Sequence, residues 1–268
     1  VAADRASALA GNLISVPGSL AALGALAQHW RTRFAVPVIV VVGSNGKTTV
    51  KEMLAAILRA HYGDAHVLAT EGNRNNAIGL PLTLLRLRAE HEAAAIELGM
   101  NHPGETAELA AIAQPTVAVV NNAQREHQEF MRSIADVAAE HAALVRALPA
   151  GGTAVLNADD PSVDAWRIAA RERTGVRVLE FALDHPAAIH LQDGPARAGG
   201  PVAFSTPAGD ATARLDAPGR HNVSNALAAV AAALAIGVPL SAVVLGLEAF
   251  RPVAGRLAAL SSVSGAEV

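Results

Sequence analysis

The apolar positions of this chain alternate between short continuous runs, which are typical of buried strands, and stripes at helical spacing. This alternation predicts an α/β fold with a mostly parallel wound sheet and flanking helices. The predicted strands are 38–42, 66–69, 93–98, 116–120, 152–156 and 176–181. The predicted helices are 19–34, 48–61, 104–113, 133–148, 162–173, 221–236 and 240–250, the first capped by Ser19. Short apolar pieces broken by glycine and proline predict a small antiparallel flap at about 183–216.

A glycine-rich turn joins the first predicted strand to the second predicted helix. It consists of Gly43, Ser44, Asn45 and Gly46 and is followed by Lys47, Thr48 and Thr49. Backbone N–H groups of such a turn converge on an anion, a lysine adds positive charge, and a hydroxyl can reach magnesium. A turn that only closes the chain would not need a lysine and two hydroxyls at its tip. The pattern predicts a P-loop type of sheet that binds a nucleoside triphosphate, although Val41 replaces the first glycine of the general motif.

Composition limits what this site can belong to. The 268 residues are enough for one large α/β domain, or for a domain with a small appendage. Lysine and arginine total 21 against 24 acidic residues, and no basic block is present, which argues against nucleic acid as a partner. No apolar stretch approaches the ~18 to 20 residues of a membrane span, and cysteine is absent, so we expect a soluble, cytoplasmic protein. The chain lacks an initiator methionine, and we expect it to be a fragment.

Glu97 stands at the end of the predicted strand 93–98. Ligands of wound sheets lie beyond the carboxyl ends of the strands, where the glycine turn also falls. Mg²⁺ prefers hard oxygen ligands and takes few of them from the protein, so Thr48 and Glu97 form a reasonable pair of metal ligands. Alternatively, Glu97 caps the helix predicted to begin near Gly104, or pairs with an arginine. The neighbouring glycine turn favours the metal.

Two further polar clusters follow predicted strands. Asn121, Asn122 and His127 come after strand 116–120, which makes His127 a candidate second metal contact. The loop 70–76 after strand 66–69 is rich in amides. These amides can recognise a polar or sugar-bearing substrate, or can bond their own backbone in a turn, and the sequence leaves both possibilities open. The candidate substrate residues are Asn73, Asn75 and Asn76.

Seven ordered motifs together resemble a known enzyme family. They are VVGSNGKTTVKEML, TEGNRNNAIGLPLTLL, IELGMNHPGE, VNNAQREHQEF, LNADD, PGRHNVSNALAA and RPVAGRL, and they extend from about residue 19 to 257. In this order they resemble the ATP-dependent Mur ligases of peptidoglycan synthesis. Folylpolyglutamate synthase is similar in the P-loop, but the second and third motifs fit the Mur ligases better.

The resemblance implies an amide-forming reaction driven by ATP and Mg²⁺. By this resemblance, ATP would phosphorylate the terminal carboxylate of a UDP-N-acetylmuramoyl-tripeptide, and the amine of D-Ala-D-Ala would attack the acyl phosphate. The sequences of the motifs favour a ligase that adds D-Ala-D-Ala. A related ligase that adds another amino acid stays an alternative. The resemblance also implies a cytoplasmic enzyme, and we expect a monomer.

The resemblance also implies roles for the candidate residues. Lys47 would contact the β- and γ-phosphates and act in catalysis. Thr48 and Glu97 would hold the first Mg²⁺, and His127 would help to hold a second. The residues that match nucleotide-contacting positions are Asn222, Asn225 and Arg256. Without the resemblance, these three would be a polar helix start and a surface arginine.

The chain departs from the family in one motif. Many Mur ligases have a carbamylated lysine that binds the second metal, whereas the corresponding stretch 137–142 has no lysine. Either Glu140 or His141 replaces it, or the second metal site is weaker or built differently.

The chain also lacks the length of a whole Mur ligase. The expected division is a remnant of the N-terminal UDP-sugar domain at 1–18, a central ATP-binding domain at 19–257 with its flap, and a tail at 258–268. A rival hypothesis follows, in which this polypeptide alone binds nucleotide without completing ligation.

Overall fold

The computed structural model describes residues 14–125, 129–192 and 200–252. The helices are α1 Ser19–Arg31, α2 Lys47–Tyr62, α3 Gly79–Leu84, α4 Glu105–Ala113, α5 Ile134–Arg146, α6 Val163–Arg171, α7 Arg220–Ala235 and α8 Leu240–Ala249. The strands are β1 Val38–Val42, β2 Val67–Ala69, β3 Ala93–Glu97, β4 Val117–Val120, β5 Thr153–Asn157, β6 Arg177–Ala182, β7 Ile189–Leu191, β8 Pro201–Thr206 and β9 Gly209–Arg214. Within these described ranges, no helix is long and apolar enough to cross a membrane.

The strands form one sheet in the order β2-β3-β1-β4-β5-β6-β7-β8-β9. Neighbours from β2 to β7 run parallel, and β8 and β9 form an antiparallel hairpin at the edge. Because the strands are parallel, the segments that follow β1, β3 and β4 all leave the sheet at one edge. The register places Val41 beside Glu97 and Val42 beside Val120, so the glycine turn, Glu97 and Asn121 meet at this edge.

Apolar side chains fill both faces of the sheet. All five residues of β1 are buried, with Ile39 and Val41 on one face and Val38, Val40 and Val42 on the other. Helices α2, α7 and α8 cover the first face, and α1 and α3 to α6 cover the second. Burial on both faces explains why the central strands are continuous apolar runs. Burial of each such valine or isoleucine side chain stabilises the fold by roughly 1.5–3 kcal/mol relative to leaving it exposed to water.

Helix α7 is enclosed on almost all sides. Every residue from 225 to 233 is buried, and most of them are alanines. The helix packs against α2, α8 and the strands β4 to β7. Small side chains allow these neighbours to approach closely, and the polar start of the helix is thereby held next to the carboxyl edge of the sheet.

The α/β fold class and the mostly parallel sheet predicted from the sequence are confirmed. Three details differ. Ser19 is the first residue of α1 and Gly18 occupies its cap position, so the predicted cap is wrong. Helix α3 was not predicted. The predicted flap is the β8–β9 hairpin, but it continues the main sheet, and β7 before it pairs in parallel with β6.

Candidate functional site

The glycine turn brings the chain from β1 into the first turn of α2. Gly46 occupies the cap position of α2 with φ of +79°, a left-handed conformation that favours glycine. A Cβ at Gly46 would lie 2.4 Å from Asn225 Oδ1 and 2.7 Å from Asn121 Nδ2. The position therefore requires glycine both for its backbone and for space. The first N–H groups of α2 make this end of the helix suitable for an anion.

Hydrogen bonds fasten the turn to the segment that follows β4. The Asn45 N–H donates to Asn122 Oδ1 at 2.9 Å, and Asn122 Nδ2 donates to the Asn45 carbonyl at 3.0 Å. The Ser44 N–H donates to the Asn122 carbonyl, and the Gln124 N–H donates to Ser44 Oγ at 2.8 Å. Asn122, from the polar cluster predicted after this strand, and the neighbouring Gln124 therefore support the turn.

Lys47 extends back over the turn. Its ammonium donates to the carbonyl of Gly43 and, at 3.3 Å, to that of Ser44. Thr49, on the same first turn of α2, lines a cavity that adjoins the glycine turn. A positive charge, the first N–H groups of a helix and two hydroxyls thus lie within one short segment, as the motif predicts.

Glu97 is buried between α2 and the loop 70–76. Thr48 Oγ1 donates to Glu97 Oε2 at 2.8 Å, and Asn75 Nδ2 donates to Glu97 Oε1 at 2.7 Å. Glu97 is only 2% exposed, and Thr48 is 3% exposed. A carboxylate and a hydroxyl oxygen side by side at the start of α2 fit Mg²⁺, which prefers such ligands.

The other explanation for Glu97, as the cap of the helix near Gly104, is wrong. Glu140 takes that position: its carboxylate accepts from the Gly104 N–H at 3.0 and 3.1 Å and from the Thr106 N–H at 2.8 Å. An acidic side chain at the start of α4 also suits the helix dipole. Glu140 is thus engaged as a cap, which disfavours it as the substitute for the carbamylated lysine.

The second metal site predicted from the sequence stays a prediction. His127 and Arg256 lie outside the described residues. His141 is buried in the second face of the sheet. In the ranges that the structure describes, no three histidine, aspartate or glutamate side chains converge to form a metal site.

The amides of the loop 70–76 serve different purposes. Asn75 holds Glu97, and its carbonyl accepts from the Gly99 N–H at 2.9 Å. Asn76 Oδ1 accepts from the N–H groups of Ile78 and Gly79, so this side chain bonds its own turn at the start of α3. Asn73 is exposed. Asn76 is exposed as well, whereas Asn75 is half-buried. Recognition of a substrate by these three amides stays a prediction.

A cavity of about 870 Å³ adjoins the turn. Its amide-bearing lining residues are Asn45, Asn122, Gln124, Asn157, Asn222 and Asn225. The sequence alone favoured an ordinary polar helix start for the last two, but both are buried. Asn121 Nδ2 donates at 2.9 Å to both Asn225 Oδ1 and the Asn45 carbonyl, which ties the start of α7 to the turn.

The two aspartates of the motif LNADD, Asp159 and Asp160, were not predicted to be residues of the site. Asp160 accepts from the Ala123 N–H at 2.8 Å and from the Ser162 N–H at 2.8 Å. Asp159 accepts from the backbone of 183–185 and from the His185 ring at 2.8 Å. Their position just past a predicted strand could have indicated this, because the glycine turn and Glu97 lie at the same edge of the sheet. Asp160 thus fastens the segment that follows β4, and Asp159 fastens the segment 183–185 that follows β6.

Asp159 makes stability depend on pH. Burial alone would raise the pKa of Asp159, but hydrogen bonds from Leu183, His185 and Asp184 together hold it below its usual value. A carboxyl with a lowered pKa stabilises the fold above its unfolded pKa of about 3.9, and this contribution is lost as pH falls through the folded pKa. We expect Asp159→Asn to lower the free energy of unfolding by about 1–2 kcal/mol at pH 7 and by less near pH 3, measured in urea.

The exposed Asp164, which pairs with Arg167, offers a matched control for this measurement. Asp164→Asn should change stability by less than about 0.5 kcal/mol. An equal loss for Asp159→Asn at pH 7 and pH 3 would contradict the electrostatic origin of the effect.

A parallel sheet with a glycine turn, a lysine and a strand-end carboxylate at its carboxyl edge defines an α/β domain of the P-loop type. Residues 41–233 match the family described as the Mur ligase middle domain, and the chain belongs to the Mur ligase family.

Curated relatives agree with this assignment. The chain is 40% identical over 239 residues to the UDP-N-acetylmuramoyl-tripeptide–D-alanyl-D-alanine ligase of Escherichia coli (strain K12), covering 88% of this chain and 51% of the relative. It is 38% identical over 237 residues to the enzyme of the same name from Haemophilus influenzae, with the same two coverages. The chain therefore spans about half the length of the curated relatives it matches.

Solved structures give the same result. MurF from Acinetobacter baumannii superposes with a TM-score of 0.87 at 34% identity, covering 93% of this chain and 54% of that chain. MurF ligase from Thermotoga maritima in complex with ADP superposes with a TM-score of 0.82 at 25% identity, covering 95% and 58%.

Proposed function

We propose that this chain is the nucleotide-binding part of an ATP-dependent ligase of peptidoglycan precursor synthesis. The parent enzyme would add D-Ala-D-Ala to UDP-N-acetylmuramoyl-tripeptide, as the names of its relatives indicate. The observation that carries the proposal is the Thr48–Glu97 pair at 2.8 Å beside the glycine turn and Lys47. The ADP complex of the Thermotoga maritima relative supports ATP as the nucleotide. A cytoplasmic monomer is part of the same proposal.

The residues of the site suit transfer of a phosphoryl group to a carboxylate. The N–H groups at the start of α2 and the Lys47 ammonium would bind the phosphates and stabilise charge that develops during transfer. Thr48 and Glu97 would hold Mg²⁺, which neutralises phosphate charge when it is bound. The buried amides of Asn222 and Asn225, with Arg256, would contact the rest of the nucleotide. Attack by the amine then forms the amide and releases phosphate.

We propose the division of the chain expected from its sequence. Residues 1–18 would belong to the UDP-sugar domain, 19–257 to the central domain and 258–268 to the connection toward a C-terminal domain. Domain closure brings reactants together and excludes water, so ligation should require the full-length parent. Ligation of D-Ala-D-Ala by residues 1–268 alone would contradict this division. A panel of amines offered to the parent enzyme would test the alternative of another amino acid.

Titration calorimetry tests the nucleotide and metal site in this chain. We expect binding of a non-hydrolysable ATP analogue that Mg²⁺ strengthens. In Glu97→Gln, a neutral amide replaces the carboxylate, and amides are poorer ligands for Mg²⁺ than carboxylates. The strengthening by Mg²⁺ should therefore fall at least roughly tenfold, the lower end of what loss of a mere supporting group costs, while binding without Mg²⁺ should change little.

Glu180 provides the matched control, because it is a carboxylate of the same sheet that pairs with Arg167 at 2.6 Å. Glu180→Gln should leave the magnesium effect unchanged. No binding of the analogue by the unaltered chain would overturn the proposal, and an undiminished magnesium effect in Glu97→Gln would remove Glu97 from the metal site.

A further inference from the structure

Lys51 is the second lysine on α2 and lies beyond the glycine turn and the residues 47–49 that predict nucleotide binding. The chain contains 19 arginines but only two lysines, Lys47 and Lys51. Lys51 is 0% exposed. Its ammonium donates to the Thr70 carbonyl at 2.7 Å and contacts the carboxylate of Glu52. A buried charge is costly unless it is paired and hydrogen-bonded, and these two partners meet that requirement.

Thr70 connects this lysine to the backbone of Glu97. Thr70 directly follows β2 and begins the loop 70–76, and its Oγ1 accepts from the Glu97 N–H at 3.0 Å. Its own N–H donates to the Ala95 carbonyl at 3.0 Å. Lys51 therefore fixes the residue that holds the end of β3, where the candidate metal ligand lies.

The same loop also holds the side chain of Glu97. Asn75 donates to Glu97 Oε1, while its carbonyl accepts from the Gly99 N–H. A Cβ at Gly99 would lie 2.8 Å from the Asn75 side chain, so the two segments are in close contact. Thr48 and Lys51, three positions apart on α2, lie on neighbouring parts of one helix face. One face of α2 thus bonds Glu97 directly through Thr48 and fastens the supporting loop through Lys51.

We propose that Lys51 is a positioning residue for the magnesium site: it anchors Thr70 and the loop 70–76, and thereby keeps the Glu97 carboxylate aligned with the Thr48 hydroxyl. The inference rests on the proposed function. Because Lys51 is fully buried and bonds the protein, it acts through Glu97 and touches neither phosphate nor substrate. The candidate substrate residues Asn73, Asn75 and Asn76 lie on the same loop. Lys51 therefore also links the proposed nucleotide site to the segment that would contact the substrate.

Lys51→Met tests this role, since methionine keeps a long side chain but cannot donate to Thr70. Thr70→Val removes only the acceptor for the Glu97 N–H and tests the same connection if Lys51→Met does not fold. Ile57→Val is the control, because Ile57 is a buried apolar residue of the same helix. The probe is the non-hydrolysable ATP analogue, titrated by calorimetry with and without Mg²⁺.

We expect the strengthening of binding by Mg²⁺ to fall roughly tenfold in Lys51→Met and in Thr70→Val, as is typical when support for a metal ligand is removed. Binding without Mg²⁺ should stay within about twofold in all variants, and Ile57→Val should retain the full magnesium effect. Hydrogen exchange at the Glu97 amide should also be faster in Lys51→Met, a readout that requires no nucleotide.

The possible failures separate two conclusions. Lack of analogue binding by the unaltered chain would overturn the proposed function and, with it, the role of Lys51 in metal binding. Normal binding with an undiminished magnesium effect in both variants would overturn only the inference, and would leave Lys51 as a structural cross-link between α2 and β2.

Discussion

Replacing Lys47 with methionine should weaken ATP binding by this chain roughly 10- to 150-fold. A hydrogen bond from a charged donor contributes about 1.5–3 kcal/mol, and 1.4 kcal/mol corresponds to a factor of ten in affinity. Lys47 reaches back over the glycine turn, as its bonds to the carbonyls of Gly43 and Ser44 indicate. Methionine would keep the length of the side chain and remove its charge. Titration calorimetry with ATP, ADP and adenosine measures the effect.

The three ligands distinguish a phosphate contact from general damage. Lys47→Met should weaken ATP and ADP but should leave adenosine almost unchanged, because adenosine has no phosphate. Arg59→Met is the matched control, since Arg59 is a cation of the same helix that pairs with Asp64 at 2.9 Å. Equal weakening of all three ligands in Lys47→Met would contradict a role at the phosphates.

Gly46→Ala should be strongly destabilising and should also abolish nucleotide binding. The new methyl group would enter the space occupied by Asn225 Oδ1 and Asn121 Nδ2. Overpacking costs about 1–3 kcal/mol, and a left-handed backbone costs a residue with a Cβ about 1–2 kcal/mol more. Relief of the clash would move the start of α7 away from the turn. Urea unfolding and calorimetry with ADP measure the two effects.

Gly237 separates these two costs. Its φ of +84° is close to the +79° of Gly46, but a Cβ there would meet no atom within 4 Å. Gly237→Ala should therefore lose only about 1–2 kcal/mol and should bind ADP normally. If Gly46→Ala were no less stable than Gly237→Ala, the close contact between the turn and α7 would be refuted.

The central strands and the glycine turn could be predicted because their signals are local. Buried parallel strands are continuous apolar runs, and a left-handed residue before a helix requires glycine wherever the rest of the chain lies. The pairing of Thr48 with Glu97 could be proposed for a related reason. Glu97 ends one strand of a parallel sheet, Thr48 lies just beyond the end of another, and such ends share one edge. The chemistry of the turn then suggested a metal.

Other parts of the site depend on contacts between segments that are distant in sequence. Asn121 bonds Asn225, which lies 104 positions later in the chain. The sequence of the helix predicted at 221–236 does not indicate that its polar start is buried against the turn. The Glu140 carboxylate caps a helix 34 to 36 positions earlier, so its task could not be read from its neighbours. Helix α3 was missed because it is short and contains Pro81, which sequence rules treat as a breaker.

The enclosure of α7 limits how this segment can vary. Residues 225–233 are all buried, so a larger side chain would have to displace α2, α8 or the sheet. The alanine positions of α7 should therefore tolerate substitution as poorly as the polar positions at the start of the helix. We expect sequence variation to be confined to the exposed faces of helices such as α1. The alanines of α7 set an upper limit on side-chain volume beside the cavity that adjoins the glycine turn.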